Sequence, residues 1–335
     1  MADLMAGLKP LLELMSDGAV HSGEALGEAL GISRAAVWKQ LQKLEKLGLD
    51  VVAVRGSGYR LAAPLDLLDE VALYEQLSST GLGAVELNLS SVVGSTNQEA
   101  LAWAESAPFG STYAVLAEQQ LAGRGRRGRT WVSPYAANLY LSLVASFSGG
   151  AAALEGLSLA VGVAVRRALL RFNCSAQLKW PNDILCEGKK LGGILLEMTG
   201  DPVGDCRVVI GIGLNIAMPS SAAEAIDQPW TDLAAQLPEL PSRTELAAAL
   251  IVEVVNVTAN YQNEGFKAWR EEWLEACAYN GQQVVLRGPG QESNGVMVGV
   301  DETGALLLQS NEGRVERIIG GEVSLRGARQ GGGDE

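Results

Sequence analysis

The sequence predicts a multidomain α+β protein in which a winged helix-turn-helix, a domain built on a mixed sheet and a small β-barrel follow one another. Three observations predict this order. The first 65 residues hold amphipathic helical segments that end at glycines, the middle of the chain interleaves strands and helices without a regular repeat, and short alternating strands follow Gly281. At about 150 residues per domain, a chain of 335 residues suffices for two or three domains.

The N-terminal 65 residues predict three helices and a β-hairpin. Helical spacing of apolar residues favours helices over Leu8–Met15, from Ser22 to Gly31, and from Ser33 to Gly48. A short turn joins the second helix to the third, which is the helix-turn-helix layout. Two apolar strands, Val51–Val54 and Tyr59–Leu61, flank a glycine-containing turn and add the wing.

The charge of this part favours DNA binding. Residues 1–65 hold seven basic and seven acidic side chains, so the rest of the chain carries the whole net charge of −13. Arg34 and Lys39 lie in the N-terminal half of the third helix, where a recognition helix meets base edges and phosphates. A solvated amphipathic helix is the alternative, but the turn and the wing favour a DNA-binding domain. The residues expected to contact DNA are Ser33, Arg34, Lys39, Lys43 and Arg55.

The rest of the chain predicts a mixed-sheet domain over 66–279, a small β-barrel over 280–327 and a mobile tail over 328–335. A helix over 66–80 connects the first two domains. The clearest strands of the middle domain are Tyr113–Ala117, Leu139–Val144 and Val208–Ile212, and its clearest helices are Leu154–Phe172, Thr244–Asn260 and Gly265–Cys277. The barrel strands are Gln283–Arg287, Gly295–Val300 and Ala305–Gln309.

The composition excludes several classes of protein. The 47% of hydrophobic and 19% of charged residues are typical of a globular chain. A single histidine, His21, excludes a metal site of two or three histidines, and a Ser-His-Asp triad would have to use it. The four cysteines lack C-x-x-C spacing, which argues against a zinc ribbon or a dithiol redox motif. Because no apolar run approaches the ~20 residues of a membrane helix, we expect a soluble, cytoplasmic protein.

The segment Gly123–Arg129 carries four arginines and three glycines. Glycines let backbone amides turn toward an anion, and guanidinium groups supply charge and paired donors. The spacing of Gly123, Gly125 and Gly128 also matches a dinucleotide-binding fingerprint, but no helix start follows it, as that fingerprint requires. We therefore expect an anion-binding loop that is mobile in the empty protein.

Three further clusters could carry chemistry. One cluster comprises Lys179 to Asp183 together with Lys190, which lies eleven residues after Lys179. Its lysines could stand beside a reacting carboxyl or phosphoryl group and stabilise the charge that develops there. Taken alone, the cluster also fits a β-turn flanked by solvated lysines. Gly94–Asn97 is a turn that starts a helix. The glycines of Gly211–Asn215 interrupt an apolar strand, which is consistent with close approach of a ligand to the backbone.

Taken in order, these segments closely resemble biotin–protein ligases. The matching motifs are G-S-T-N, Q-Q-x-A-G-R-G-R-R-G-R-x-W-x-S-P, K-W-P-N-D, K-L-G-G-I-L and G-I-G-L-N. The three-part layout, from about Leu8 to Arg326, extends the resemblance to the bifunctional group that is also the biotin operon repressor. It implies a central domain similar to class II synthetases and a C-terminal SH3-like barrel.

The resemblance implies a two-step reaction. Biotin and Mg-ATP form biotinyl-5′-adenylate and pyrophosphate, and the biotinyl group then passes to a lysine of the biotin carboxyl carrier protein of acetyl-CoA carboxylase. No enzyme nucleophile and no resident metal are needed, and Mg²⁺ accompanies ATP. The adenylate would also act as corepressor, by favouring a homodimer that binds the operator DNA of biotin synthesis genes.

The resemblance also assigns roles to individual residues. Lys190 is expected to be catalytic, together with Arg124 and Arg126. The residues expected to bind biotin are Ser95, Thr96, Asn97, Gln120, Arg124, Gly125, Arg126 and Lys190. Those expected on the nucleotide side are Arg129, Trp131, Asn182, Asp183 and Asn215, with Trp131 stacked on the adenine once the loop orders.

Other functions remain open at this point. A transcription factor could bind biotin without turnover, although the intact Lys190, Asn182 and Asp183 argue against it. A lipoate or octanoate ligase is related, but these acids lack a ureido ring, so the polar residues assigned to the biotin head group would have no role. A nicotinamide-dependent oxidoreductase is the remaining alternative.

Overall fold

The structure is a computed structural model that describes residues 7–288, 291–319 and 324–327. The tail that was expected to be mobile lies outside these residues. Along the chain the described residues form a helical N-terminal part, a seven-stranded central sheet and a five-stranded C-terminal sheet, which confirms the predicted fold class. None of the described helices is long and apolar enough to cross a membrane.

The N-terminal part is the predicted winged helix-turn-helix. Its elements are α1 (Lys9–Met15), α2 (Gly23–Leu30), α3 (Arg34–Glu45), β1 (Val51–Val54) and β2 (Gly58–Leu61). The hydroxyl groups of Ser22 and Ser33 accept hydrogen bonds from the backbone amides of Ala25 and Ala36, which caps α2 and α3. Gly31, with φ 65°, ends α2 in the left-handed region that glycine tolerates best.

The central sheet is mixed, as predicted. Its strands are β3 (Glu86–Val93), β4 (Tyr113–Gln120), β5 (Asn138–Phe147), β6 (Gln177–Lys179), β7 (Asp183–Cys186), β8 (Lys189–Gly200) and β9 (Cys206–Asn215). Their order in space is β3-β4-β5-β9-β8-β7-β6. Only the β3–β4 pair is parallel among these described strands.

Seven α-helices accompany the described part of this sheet, and the connecting helix predicted over 66–80 is the first of them. They are α4 (Glu70–Ser79), α5 (Thr96–Ser106), α6 (Leu157–Leu170), α7 (Ser220–Ala223), α8 (Leu233–Gln236), α9 (Arg243–Glu264) and α10 (Arg270–Ala276). Helix α6 is mostly buried and packs against α9. Its apolar run is therefore a core helix.

Two predicted helices differ from the structure. Instead of one helix over Leu154–Phe172, a 3₁₀ turn at Gly150–Leu154 precedes α6. Gly156 stands just before α6 with φ 76°, a left-handed backbone conformation that interrupts a helix. Instead of one helix over Gly265–Cys277, a 3₁₀ turn at Phe266–Trp269 precedes α10.

The C-terminal sheet is antiparallel, with the order β13-β12-β11-β10-β14. Its strands are β10 (Gln283–Gly288), β11 (Gln291–Val300), β12 (Leu306–Gln309), β13 (Val315–Ile318) and β14 (Ser324–Gly327). The first three are the predicted barrel strands, and the last two were not predicted. The buried Trp180 indole donates to the carbonyl oxygen of Gly304 at 3.0 Å and so links this sheet to the central domain.

The three parts share their cores. Tyr135 and Ala136, just after the arginine-glycine segment, pack into the hydrophobic cluster of the winged helix-turn-helix. The core of the central sheet continues into β10, β11 and β12. The buried Arg243 guanidinium group lies 2.6 Å from the Glu118 carboxylate and donates to the backbone carbonyl of Asp66, so α9, β4 and the linker meet at one ion pair.

Candidate functional site

A cavity of about 560 Å³ lies beside the central sheet and the arginine-glycine segment. All of the residues that the sequence predicted to bind biotin or nucleotide line it. They are Ser95, Thr96, Asn97, Gln120, Arg124, Gly125, Arg126, Arg129, Trp131, Asn182, Asp183, Lys190 and Asn215. Four stretches that are distant in sequence, 95–97, 120–131, 182–190 and 215, therefore converge on one site.

The start of α5 forms one end of the cavity. Ser95 occupies the N-cap position, but its side chain makes no capping hydrogen bond. The next residue, Thr96, donates its backbone amide to Gln120 Oε1 at 2.9 Å, and Gln120 Nε2 donates to Ser133 Oγ at 3.1 Å. The cavity wall at this end is thus made of short polar side chains that hold one another in fixed orientations.

Asn97 is anchored by two residues that sequence reasoning missed. Its side-chain nitrogen donates to Glu197 Oε2 at 2.7 Å, and its oxygen accepts a hydrogen bond from Ser142 Oγ at 2.6 Å. Both Glu197 and Ser142 are polar residues within apolar strands, β8 and β5. That interruption was the available sequence signal.

The arginine-glycine segment closes on itself as a narrow loop. Gly125 donates its backbone amide to the carbonyl of Arg129 at 2.7 Å, and Trp131 donates to the carbonyl of Gly123 at 2.9 Å. Arg127 takes φ 58° at the tip, a value that is uncommon for a residue with a side chain. The loop thereby brings several guanidinium groups to the cavity mouth.

Two arginines of the loop are tied to the sheet. Arg124 Nη2 donates to Glu197 Oε2 at 3.3 Å, and Arg126 Nη1 donates to Asn182 Oδ1 at 3.2 Å. Burial and the neighbouring Arg127 lower the pKa of Arg126, while the charge of Asp183 acts in the opposite sense. An anionic ligand in the cavity would relieve this crowding of positive charge.

Lys190 and Lys179 share one carboxylate. Lys190 Nζ lies 2.6 Å from Asp183 Oδ1, and Lys179 Nζ lies 3.2 Å from Asp183 Oδ2. Burial raises the pKa of Asp183, but the two ammonium groups lower it more, so this pKa lies below its ordinary value. No three His, Cys, Asp or Glu side chains of the described residues are placed to hold a metal ion.

The glycines of β9 line the cavity and also make room for two side chains. A Cβ atom at Gly213 would lie 2.5 Å from the Trp131 ring, and one at Gly211 would collide with Asn97 Oδ1. The Trp131 ring lies on the sheet, 5.6 Å from Lys190 Nζ. Its buried indole N–H has no hydrogen-bond partner among the described residues.

The segment Pro229–Thr231 also lines or supports the cavity, and no motif in the sequence pointed to it. Lys190 donates its backbone amide to the carbonyl of Pro229 at 3.0 Å and accepts from the amide of Thr231 at 2.9 Å. The buried Asn215 donates its side-chain amide to the Thr231 carbonyl at 3.0 Å. Asn215 therefore holds a neighbouring segment against the site, and Trp230 of that segment lines the cavity.

The predicted DNA interface is a separate surface on the winged helix-turn-helix. Arg34, Lys39 and Arg55 are exposed, and Lys43 is half-buried. Ser33 uses its side chain as the N-cap of α3. Trp38, which the sequence prediction did not include, is 50% exposed on the same helix.

Three family profiles match the chain. The profile of the Biotin/lipoate A/B protein ligase family matches residues 89–215, and an HTH domain profile matches residues 9–60. A third profile, Biotin protein ligase C terminal domain, matches residues 279–326. The three matches follow the same order as the three structural parts.

Similar proteins cover nearly the whole chain. The bifunctional ligase/repressor BirA of Salmonella typhimurium is 39% identical over 95% of this chain and 97% of its own length. The protein of the same name from Escherichia coli is 38% identical over 96% and 97%. Among solved structures, a biotin protein ligase from Aquifex aeolicus in complex with biotin and ATP has a TM-score of 0.62, with 28% identity over 72% of this chain and 99% of that one.

Proposed function

The chain belongs to the family of bifunctional biotin–protein ligases and repressors, and from this premise we propose how its residues perform both activities. The enzyme activates biotin with ATP to biotinyl-5′-adenylate and transfers biotin to a lysine of the biotin carboxyl carrier protein of acetyl-CoA carboxylase. The observation that carries the ligase activity is the convergence of Lys190, the arginine loop and the start of α5 on one cavity. The winged helix-turn-helix carries the repressor activity.

In the first step a carboxylate oxygen of biotin attacks the α-phosphorus of ATP. The bond from that phosphorus to the bridging oxygen breaks, and pyrophosphate leaves with its Mg²⁺. Negative charge accumulates between the acyl group and the phosphorus, where we place the Lys190 ammonium group and the guanidinium groups of Arg124 and Arg126. Asp183 also holds Lys190 in position through its carboxylate, and Lys179 binds the other oxygen of the same carboxylate.

In the second step the neutral amine of the carrier lysine attacks the acyl carbon. The carbon–oxygen bond to the phosphate breaks, AMP leaves, and the amine loses a proton to solvent. Every covalent bond is made between substrates. The site's contribution is therefore orientation and charge stabilisation, which fits the absence of a nucleophile from the predicted catalytic set.

We assign the two ends of the cavity to the two substrates. The biotin head group would be held by the polar start of α5, which provides Ser95, Thr96 and Asn97, and by Gln120 at the end of β4. The residues that would lie along biotin and the adenylate are Arg124, Gly125, Arg126 and Lys190. Arg129, Trp131, Asn182, Asp183 and Asn215 would serve the nucleotide side. The unpartnered indole N–H of Trp131 offers a donor there.

The repressor activity needs two copies of the chain. We propose that the adenylate orders the arginine loop, that the ordered form dimerises, and that two copies of α3 then bind two operator half-sites. Because coupling is reciprocal, the dimer must also bind the adenylate more tightly than the monomer does. We assign DNA binding to residues 1–65 and the ligase reaction to residues 66–279, followed by the small barrel over 280–327, in a protein that we place in the cytoplasm.

Transfer to a purified carrier domain tests the ligase activity. With biotin and Mg-ATP, the protein should attach biotin to the wild-type carrier and not to a carrier whose acceptor lysine is replaced by arginine. Gel shifts of operator DNA, with and without preformed adenylate, test the repressor activity. Sedimentation of the same samples tests the proposed dimer.

A further inference from the structure

A continuous chain of hydrogen bonds runs behind the start of α5. At one end, Glu197 Oε2 accepts from both Asn97 Nδ2, at 2.7 Å, and Arg124 Nη2, at 3.3 Å. At the other end, the carbonyl oxygen of Trp131 accepts from Ser133 Oγ at 2.9 Å. Both ends are groups that can only accept, so they determine the direction of the hydrogen bonds between them.

The Glu197 end fixes the amide of Asn97. The Glu197 carboxylate, at 2.7 Å, and the backbone carbonyl of Leu195, at 3.4 Å, both need a donor, and the shorter bond is to Glu197. The nitrogen of Asn97 must therefore face Glu197, and its oxygen must face Ser142 Oγ, 2.6 Å away. Turning the amide over would place its oxygen against the carboxylate. The single proton of the Ser142 hydroxyl is thereby committed to Asn97.

This commitment passes on to Thr96 and Gln120. Ser142 Oγ also lies 2.7 Å from Thr96 Oγ1, and Thr96 Oγ1 lies 3.2 Å from Gln120 Oε1. With the Ser142 proton committed to Asn97, both of these contacts draw on the single proton of the Thr96 hydroxyl. The backbone amide of Thr96 then binds Gln120 Oε1 at 2.9 Å. The nitrogen of Gln120 is consequently turned toward Ser133, whose own proton goes to the Trp131 carbonyl.

We propose that Glu197 is a positioning residue for the acid substrate: it fixes which atoms of the head-group pocket donate and which accept, and it holds Arg124 beside that pocket. This inference rests on the proposed function. The ureido ring of biotin carries two N–H donors and one carbonyl acceptor, so it requires a pocket of defined polarity. An amide free to turn over would leave some of these groups unmatched.

The variant Glu197→Gln tests the inference, because it keeps the shape of the side chain and can present either a donor or an acceptor. We expect the KM for biotin in pyrophosphate release to rise about tenfold or more, since bonds to charged groups are the stronger ones. The kcat at saturating biotin should fall by a smaller factor than the KM rises, because Lys190 is untouched although Arg124 loses a charged partner. Glu239→Gln, at an exposed position, is the matched control.

Two further variants separate positioning from a general structural effect. Ser142→Ala removes the proton that Asn97 Oδ1 receives and should also raise the KM for biotin. The double variant Glu197→Gln with Asn97→Asp places a carboxylate, which can only accept, opposite the Ser142 hydroxyl. The glutamine amide at position 197 then donates to the other oxygen of that carboxylate. This double variant should recover part of the affinity that the single variant loses. Thermal unfolding of each variant shows whether it is folded.

The outcomes are separable. A folded Glu197→Gln protein with the wild-type KM for biotin overturns the inference, as does a loss confined to kcat. If Glu197→Gln does not fold, an unchanged KM in Ser142→Ala overturns it. No recovery in the double variant overturns the polarity argument. A wild-type protein that releases no pyrophosphate with biotin removes the proposed function itself, and with it the inference.

Discussion

The ammonium group of Lys190 is held by the carboxylate of Asp183 and lies over the face of the Trp131 ring. Backbone bonds to the segment Pro229–Thr231 fix the main chain of the same residue. A lysine side chain is normally mobile, and ordering it in advance removes that entropy loss from the reaction. The K-W-P-N-D and K-L-G-G-I-L motifs predicted the two lysines and Asp183 as site residues. They did not predict that one carboxylate would bind both lysines, because that contact depends on how β6, β7 and β8 pair.

Replacing Lys190 should separate catalysis from folding. Lys190→Ala is expected to lower the rate of adenylate formation by about 100-fold or more, the size typical of losing a preorganised charge-stabilising group. Asp183 keeps its contact with Lys179, so the fold should persist. The rate is measured as biotin-dependent pyrophosphate release. Lys189→Ala, at the adjacent exposed lysine, should react at nearly the wild-type rate; a comparable decrease in both variants would contradict the assignment.

The glycines of β9 show what the sequence leaves open at the scale of single residues. Their occurrence in an apolar strand indicated a close approach, and a close approach is what the structure contains. The sequence did not indicate whether a ligand or another side chain makes this approach: Trp131 and Asn97 lie against these glycines, which also line the cavity. Only the three-dimensional placement of segments from other parts of the chain distinguishes these possibilities.

The contact between Gly213 and the Trp131 ring can be tested by a substitution. Gly213→Ala would place a methyl group against the Trp131 ring and so displace it from the sheet and from Lys190. Adenylate formation should fall at least about tenfold, since small misplacements of a positioned group cost this much or more. Trp131→Ala should relieve the clash in the double variant. Unchanged activity of Gly213→Ala would show that the position of the ring is unimportant.

At the scale of elements, α3 presents Lys39 on the side opposite to its buried Val37, Leu41 and Leu44, and Arg34 is exposed in its first turn. This separation was predictable from helical spacing, and so was the hairpin. The break before α6 was not, because Gly156 adopts its conformation beside Phe266 and Thr303, which are far away in sequence. The sequence pattern therefore predicted the helices and strands whose ends depend on residues nearby in the chain, and not those whose ends depend on distant contacts.

The DNA-binding role of α3 can be tested apart from catalysis. Replacing Arg34 and Lys39 together with alanine should weaken operator binding and reduce the slope of log K against log salt by about one for each phosphate that the variant no longer binds. Biotin ligation should be retained. Lys9→Ala, at an exposed lysine of α1 in the same domain, is the control. An equal decrease in DNA binding and in ligation would contradict the division of functions.

At the scale of the whole molecule, the catalytic and DNA-binding parts are physically continuous. Tyr135 and Ala136 lie six and seven residues after Arg129 of the arginine loop and belong to the core of the winged helix-turn-helix. Gln119 also donates to the backbone carbonyl of Leu47. A change in the loop can thus reach the DNA-binding part through packed atoms. Sequence motifs predicted each part, but not these shared contacts, which no local pattern encodes.

The ion pair of Arg243 and Glu118 should stabilise this junction strongly. Its side chains are 2% and 7% exposed, and Arg243→Met would leave the Glu118 carboxylate buried without its cation. Removing one partner of such a pair typically costs about 3–5 kcal/mol, so denaturant unfolding should detect a large decrease in the free energy of unfolding. Lys267→Ala breaks an exposed pair with Glu302 and should cost at most about 1 kcal/mol. Equal effects of the two variants would contradict this account.

The central claim is that this cavity activates biotin with ATP. Pyrophosphate release from Mg-ATP by the purified full-length protein tests it most directly, in parallel samples that contain biotin, lipoate, octanoate or no acid. The account predicts release with biotin alone and a tightly held adenylate afterwards. Release with lipoate or octanoate instead of biotin would contradict the assignment of the head-group pocket, and no release with any acid from a folded sample would contradict the ligase activity itself.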